Sequence, residues 1–241
     1  MGALISLLSS YLYFPALRTD SSWQFAFVVF LQLAHFSILY AAASRWQQTQ
    51  AGEWFRGGMV GLNAGMNGIL IYLLSSNLYL AGGVMTLLAA GSSLVISRNR
   101  VYHVLLGWFN WFLVTGLGML IFMVNMALAP LGFLLGVRRL KVRIGIHAVS
   151  SSIIMYGGMI RPLMQFNGFN MGNFSFINPG RETLLIHEIG HLYSLSVMGW
   201  LFHYIGGVDE GFLQADSREA LAEYLADSYS NPTESVLSMW R

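Results

Sequence analysis

The chain has 241 residues and a formal net charge of +2, and 55% of its residues are hydrophobic while only 10% are charged. Soluble domains carry about a quarter charged residues, so this composition predicts a membrane protein. The small net charge and the lack of a basic run interleaved with aromatic residues argue against a nucleic-acid partner. Because the chain has no cysteine, disulfides, thiolate metal sites and cysteine nucleophiles are excluded.

The first 137 residues are almost entirely apolar and are interrupted only by short polar loops. A helix that crosses a bilayer needs about 20 apolar residues, so this part predicts five to six membrane-spanning helices. The apolar stretches cover residues 3–17, 23–43, 59–74, 78–96 and 101–129. We therefore expect a multi-pass transmembrane helical domain over residues 1–137, integral to the bilayer of a membrane such as the bacterial inner membrane.

The composition changes at residue 138 and stays less apolar to the end of the chain. Residues 143–160 are rich in Val, Ile, Ser and Tyr and are broken by Gly157 and Gly158, which is typical of a strand or hairpin. Phe174–Ile177 predicts a further short strand. The expected fold is thus mainly α, with the multi-pass helical domain followed by a small α+β region over residues 138–241.

A helix start is predicted at Asn178, which is followed by Pro179, because Asn caps helix N-termini and Pro is accepted in the first turn. We expect this helix to run to about Met198 and to stop at Gly199.

Two histidines of this helix, His187 and His191, are four residues apart and therefore lie on one face, where they can bind the same metal ion. Glu188 follows the first histidine, so that its carboxylate can reach a metal-activated water rather than the metal. Zinc lowers the pKa of such a water, and a carboxylate accepts its proton as it attacks a carbonyl. The alternative is a helix whose two histidines line a polar interface.

A third ligand is expected from a carboxylate on a second predicted helix further along the chain. Asp216 and Glu219 have the spacing of a capping box, which gives Glu219 a structural role at the helix start. Glu223 lies one turn deeper and is the predicted ligand. Asp227 follows by another turn on the same face and is predicted to accept a hydrogen bond that orients a ligand histidine. The alternative for both is an ordinary solvated helix face.

The segment between the two helices supplies further candidates. His203 or Tyr204 is expected to donate a hydrogen bond to the oxyanion of a tetrahedral intermediate, with a packed loop histidine as the equal alternative for His203. Glu210 is also a candidate for the third metal ligand. It ranks second because its glycine-rich surroundings provide no helix to aim it.

The sequence H-E-I-G-H at 187–191, followed by E-Y-L-A-D at 223–227, resembles the gluzincin metallopeptidases of the membrane-bound CAAX-prenyl-protease and heat-shock-protease type. In that type the downstream glutamate ligand lies in an E-x-x-A-D helix motif. The resemblance covers residues 178–230, and we expect a separate branch of the group. It implies a zincin-like fold for the C-terminal region, Zn²⁺ held by His187, His191 and Glu223, and Glu188 as the general base.

The expected function is that of a zinc-dependent metalloendopeptidase that hydrolyses peptide bonds of membrane or membrane-proximal polypeptides. An extended substrate would pair with an edge strand, for which Phe174–Ile177 is the candidate. One alternative is a zinc hydrolase of a lipid or another non-peptide amide or ester. The other is a non-catalytic zinc-binding membrane protein, against which Glu188 argues because a structural zinc site needs no base.

Overall fold

The computed structural model of the chain describes residues 4–5, 8, 22–77, 79–84, 87, 114–136, 142–147, 150–158, 167–210 and 220–230. The described residues form mainly helices and one small sheet, as predicted. The chain divides into two compact units. The first contains Met1–Arg98 and Val197–Leu221, and the second contains Asn99–Ser196 and Ala222–Trp240. The predicted boundary at residue 137 falls within the second unit.

In the first unit, helix α1 (Ser22–Arg45) packs against helix α2 (Gln50–Ser75). Thr49 caps α2, because its hydroxyl accepts a hydrogen bond from the Gly52 N–H at 3.3 Å. The helix ends at Ser76, whose left-handed backbone lets its N–H bond back to the Tyr72 carbonyl. The short connection at residues 46–49 fixes α1 and α2 as neighbours.

Two helices are long and apolar enough to cross a membrane among the residues that the structure describes, Ala26–Arg45 of α1 and Val114–Leu134. The predicted count of five to six spans is therefore not reproduced over this part of the chain. Helix α2 covers the predicted stretch 59–74 but is not one of the two, and buried asparagines at 63 and 67 interrupt its apolar run. The predicted stretches 3–17 and 78–96, and the first part of 101–129, lie largely outside the described residues.

The second unit contains helix α3 (Val114–Leu134) and a four-stranded sheet. The strands are β1 (Val142–His147), β2 (Ser152–Gly157), β3 (Gly168–Met171) and β4 (Phe174–Ile177), in the spatial order β1-β2-β4-β3. Strands β1 and β2 form the expected antiparallel hairpin, and β3 and β4 form a second one. The two hairpins join through parallel pairing of β2 with β4.

Strand β4 lies inside the sheet, so the expectation that Phe174–Ile177 is an edge strand is wrong. All four of its residues are buried, and Phe174 and Phe176 belong to a core cluster with Met155 of β2. Phe174 packs with Phe122 of α3, their ring centroids 5.4 Å apart. The edge strands are β1 and β3. Of these two, β3 lies closer in sequence to the predicted histidine helix, with only β4 between them.

Helix α4 (Leu185–Val208) starts later than predicted. Asn178 does not cap it: residues 178–180 form a turn in which the Arg181 N–H bonds to the Asn178 carbonyl, and Gly180 has a φ of +85°. A single 3₁₀ turn (Glu182–Leu184) then leads into the helix. Asn and Gly are as suited to a turn as to a helix start, which is why the pattern was ambiguous.

The predicted stop at Gly199 corresponds to a real break in α4, although helical turns continue beyond it to Val208. Gly199 has a φ of +81° and a ψ of −175°. A Cβ at this position would lie 1.8 Å from the Asn63 side-chain oxygen of α2, so only glycine fits here. The last described helix, α5, spans Leu221–Ser230.

Candidate metal centre

Helix α4 presents His187 and His191 one turn apart, as their spacing requires. Their rings meet edge to face with centroids 4.8 Å apart, and their Nε2 atoms are 3.2 Å apart. Gly190 lies between them, and a Cβ on it would come within 2.2 Å of the Ala226 carbonyl oxygen. The backbones of α4 and α5 are therefore in direct contact, which brings the carboxylates of α5 to the histidines.

The side chains of His187, His191 and Glu223 come together, with one ligand atom from each lying within 4.8 Å of the others. Glu223 Oε2 lies 3.1 Å from His187 Nε2, and its Oε1 lies 3.1 Å from His191 Nε2. The three side chains thus form a group that could hold a metal ion.

Asp227 supports this group from the next turn of α5. Its Oδ1 lies 2.6 Å from His187 Nδ1, a distance at which the ring N–H donates to the carboxylate. This bond fixes the ring orientation and directs Nε2, the other nitrogen, towards Glu223 and His191.

The charges of the group shift two pKa values in opposite directions. The pKa of His187 is raised to about 9, chiefly by its hydrogen bond to Glu223, with burial opposing the shift and the Asp227 bond adding to it. Burial would raise the pKa of Glu223, but the hydrogen bonds from His187 and His191 outweigh it and lower this pKa far below its usual range. The metal-free group therefore contains an imidazolium that must lose its proton before His187 can bind a metal.

Glu188 is 4% exposed, and its carboxylate lies against strand β3. A Cβ on Gly168, the first residue of that edge strand, would lie 2.6 Å from Glu188 Oε1. The negative charge of Glu188 also contributes to the raised pKa of His187. A buried carboxylate thus lies against the first residue of an edge strand and acts electrostatically on His187.

The structure describes three of the remaining predicted site residues, His203, Tyr204 and Glu210, and all three belong to the first unit. His203 and Tyr204 are in the part of α4 that belongs to the first unit, with their ring centroids 6.1 Å apart, and their oxyanion role stays a prediction. Among the described residues the metal group includes Glu223 and not Glu210. The capping box of Asp216 and Glu219 lies outside the described residues.

Two glycines that position the site, Gly168 and Gly190, were missed in the sequence. Gly190 gave a detectable signal, because glycine within a helical pattern costs about 1 kcal/mol relative to alanine and so suggests a packing requirement. Gly168 gave none, since it lies among other Gly and Asn residues of a predicted loop.

No protein-family model, curated protein or solved structure matches the chain.

Proposed function

We propose that this chain is a membrane-embedded zinc-dependent metalloendopeptidase of the gluzincin type, in a separate branch, that cleaves membrane or membrane-proximal polypeptides. The observation that carries the proposal is the arrangement of His187, His191 and Glu223 around one point, with the buried Glu188 on the same helix.

The donor set supports zinc and an open coordination position. Two imidazoles and one carboxylate suit zinc, and catalytic zinc sites have three protein ligands where structural sites have four. Within the described residues the group has three members. A bound zinc ion would polarise a water molecule and a substrate carbonyl.

Glu188 is suited to accept the proton of the attacking water. Burying a carboxylate is costly, and a structural metal site gains nothing from one beside its ligand. Its position next to His187 on α4 keeps the carboxylate close to the metal group, as a general base requires. This residue favours an enzyme over a non-catalytic zinc protein.

The edge strand β3 favours a polypeptide substrate over a lipid one. Its far side has no strand among the described residues, so the backbone of an extended peptide can pair with it. Gly168 starts this strand directly against Glu188. A peptide aligned on β3 would pass the general base. Strand β3 therefore replaces the interior strand β4 as the expected partner of the substrate.

The membrane location is supported by α3. This apolar helix is poorly covered, with 17% of its candidate span buried. Leu120, Met123 and Phe133 are each more than half exposed. The core helix of a soluble protein would be mostly buried, whereas a lipid-facing helix exposes apolar side chains of this kind.

Two tryptophans near the ends of helix α1 support the membrane location independently. Trp23 and Trp46 are exposed and stand 23 residues apart at the two ends of the helix. At 1.5 Å per residue this separation is about 34 Å, close to the thickness of a bilayer hydrocarbon core. Tryptophan is enriched at both membrane interfaces, so the pair marks the ends of a span.

The test compares the purified wild type with Glu188→Gln in detergent or lipid discs. We expect wild type to contain about one zinc per chain and to cleave a quenched-fluorescence peptide library. Glu188→Gln should retain zinc but lose activity by about 10²–10⁴-fold, because an amide cannot accept the water's proton. Glu182→Gln, an exposed glutamate just before α4, is the matched control and should remain active.

The substrate class is tested in membranes from cells with active protein or with Glu188→Gln. New peptide N-termini that require Glu188 would support the peptidase. Released fatty acids or other lipid products without new N-termini would establish the lipid hydrolase instead. Activity of Glu188→Gln within a few-fold of wild type would refute the catalytic role.

A further inference from the structure

A cavity of about 680 Å³ lies in the first unit, between α1 and the part of α4 that follows Gly199. Leu33, Trp200 and Ile205 contribute apolar side chains to its lining, and Arg45 and Asp209 contribute the two charges. Sites for small ligands usually measure about 300–1,000 Å³, with a mostly apolar lining and few polar groups. The cavity therefore has the size and the composition of a ligand site.

The two charges in this lining do not neutralise each other. No described residue forms an ion pair with Arg45 or with Asp209. The Tyr40 hydroxyl donates to Asp209 Oδ2 at 2.8 Å and holds the carboxylate in place. A cation and an oriented anion thus line one largely apolar space.

The geometry points to a phospholipid with a zwitterionic ethanolamine headgroup as the occupant. Its phosphate would pair with Arg45, its ammonium would donate to Asp209, and an acyl chain would lie along Leu33, Trp200 and Ile205. A lining with one charge of each sign is complementary to a headgroup that carries both. A carboxylate binds a primary ammonium better than a quaternary one, because only the primary ammonium has N–H groups to donate.

The position of the cavity on α1 agrees with a lipid ligand. Ala26–Arg45 is one of the two candidate spans, and Arg45 is its last residue. Arginine at the end of a span lies at headgroup level, and aromatic residues such as Trp200 and Tyr204 are favoured there. The lipid site uses no residue of the metal group, so it can be correct whether or not the proposed peptidase activity is.

The experiment measures lipid binding to delipidated full-length protein in detergent by native mass spectrometry. Titrations use phosphatidylethanolamine, phosphatidylcholine, phosphatidylglycerol and diacylglycerol with the same acyl chains. We expect phosphatidylethanolamine to bind most tightly, and Arg45→Gln and Asp209→Asn each to weaken it about tenfold. Arg56→Gln and Glu53→Gln, charge changes on α2 outside the cavity lining, are the matched controls and should leave it unchanged.

A second variant tests the cavity without altering either charge. Ala41→Leu fills the space beside Tyr40 and should expel the lipid, while zinc content and the thermal transition stay those of the wild type. Equal binding of the four lipids, or losses in Arg45→Gln and Asp209→Asn no larger than in the α2 controls, would overturn the headgroup assignment. Undiminished binding in Ala41→Leu would overturn the cavity as the site.

Discussion

Nδ1 of His187 lies 2.6 Å from Oδ1 of Asp227, and this bond links the histidine helix to the helix of the third candidate ligand. Because Asp227 holds the ring rather than the metal, its loss should weaken metal binding without abolishing it. We expect Asp227→Ala to reduce zinc affinity about 10–100-fold.

A chelator-competition titration measures this effect. Ser228→Ala, an exposed neighbour on α5 whose hydroxyl donates to the Tyr224 carbonyl of the same helix, serves as the control and should bind zinc normally. An Asp227→Ala affinity equal to that of the control would show that the ring needs no support.

The choice between Glu223 and Glu210 as third ligand is tested by removing each carboxylate. Both oxygens of Glu223 face the histidines at 3.1 Å, so Glu223→Ala should lose zinc at micromolar metal concentrations. Glu210→Ala should retain it. Metal lost with Glu210→Ala but kept with Glu223→Ala, as measured by elemental analysis, would reverse the assignment.

Zinc binding is expected to release a proton and to strengthen as the pH rises towards 9. The raised pKa of His187 leaves its metal-free ring protonated at neutral pH, so zinc must displace that proton. Affinity should therefore increase by up to about tenfold per pH unit below the pKa of about 9. Calorimetry in buffers of different ionisation enthalpy measures the released protons, and none released at pH 7.5 would contradict the prediction.

His187 and Glu223 give the stability of the metal-free protein a pH dependence opposite to that of its zinc affinity. Since the His187 pKa is raised in the folded state, its stabilisation is complete below the ordinary value of 6.5 and is lost as pH rises through about 9. Since the Glu223 pKa is lowered, its stabilisation is present above 4.5 and is lost on acidification. Thermal unfolding of the metal-free protein should show this contribution at its largest between about 4.5 and 6.5.

The contact of α4 with α5 is tested at Gly190. A methyl group there would meet the Ala226 carbonyl, so Gly190→Ala should destabilise the second unit by about 1–3 kcal/mol and lower zinc affinity as well. Gly207→Ala, on the same helix but with open space around it, is the matched control. Its stability should stay the same or rise by about 0.5–1 kcal/mol, because alanine is the better helix former. Urea unfolding of both variants with similar midpoints would contradict a tight contact at Gly190.

Local sequence patterns were sufficient for part of the site. The four-residue spacing of His187 and His191 determines a shared helix face, and the same periodicity relates Glu223 to Asp227. What the sequence did not contain was the approach of α5 to α4, which depends on Gly190 meeting Ala226 across 36 positions of chain. The metal group could be suggested from the motif, but its geometry required the tertiary contact.

The errors in the fold have a related cause. The apolar alternation of Phe174–Ile177 identifies a strand, yet its interior position follows from pairing with β2, which no local pattern encodes. Counting apolar stretches gave five to six spans because it passed over the polar Asn63 and Asn67 within the α2 stretch, which are buried. Asn178 and Gly180 suit a turn as well as a helix start. The chain forms a turn there, and a 3₁₀ turn at Glu182–Leu184 then leads into the helix.

The parallel seam between β2 and β4 also bears on how the second unit assembles. Each hairpin can form early from neighbouring residues, but an isolated two-stranded hairpin is marginally stable in water. The seam pairs Ile153 with Phe174, so the sheet closes only when two preformed hairpins dock side by side. Since pairings distant in sequence form slowly, this docking is the step that we expect to limit the rate of folding. Until it occurs, the backbone edges of β2 and β4 stay open to other chains, so newly made protein is exposed to aggregation at this seam.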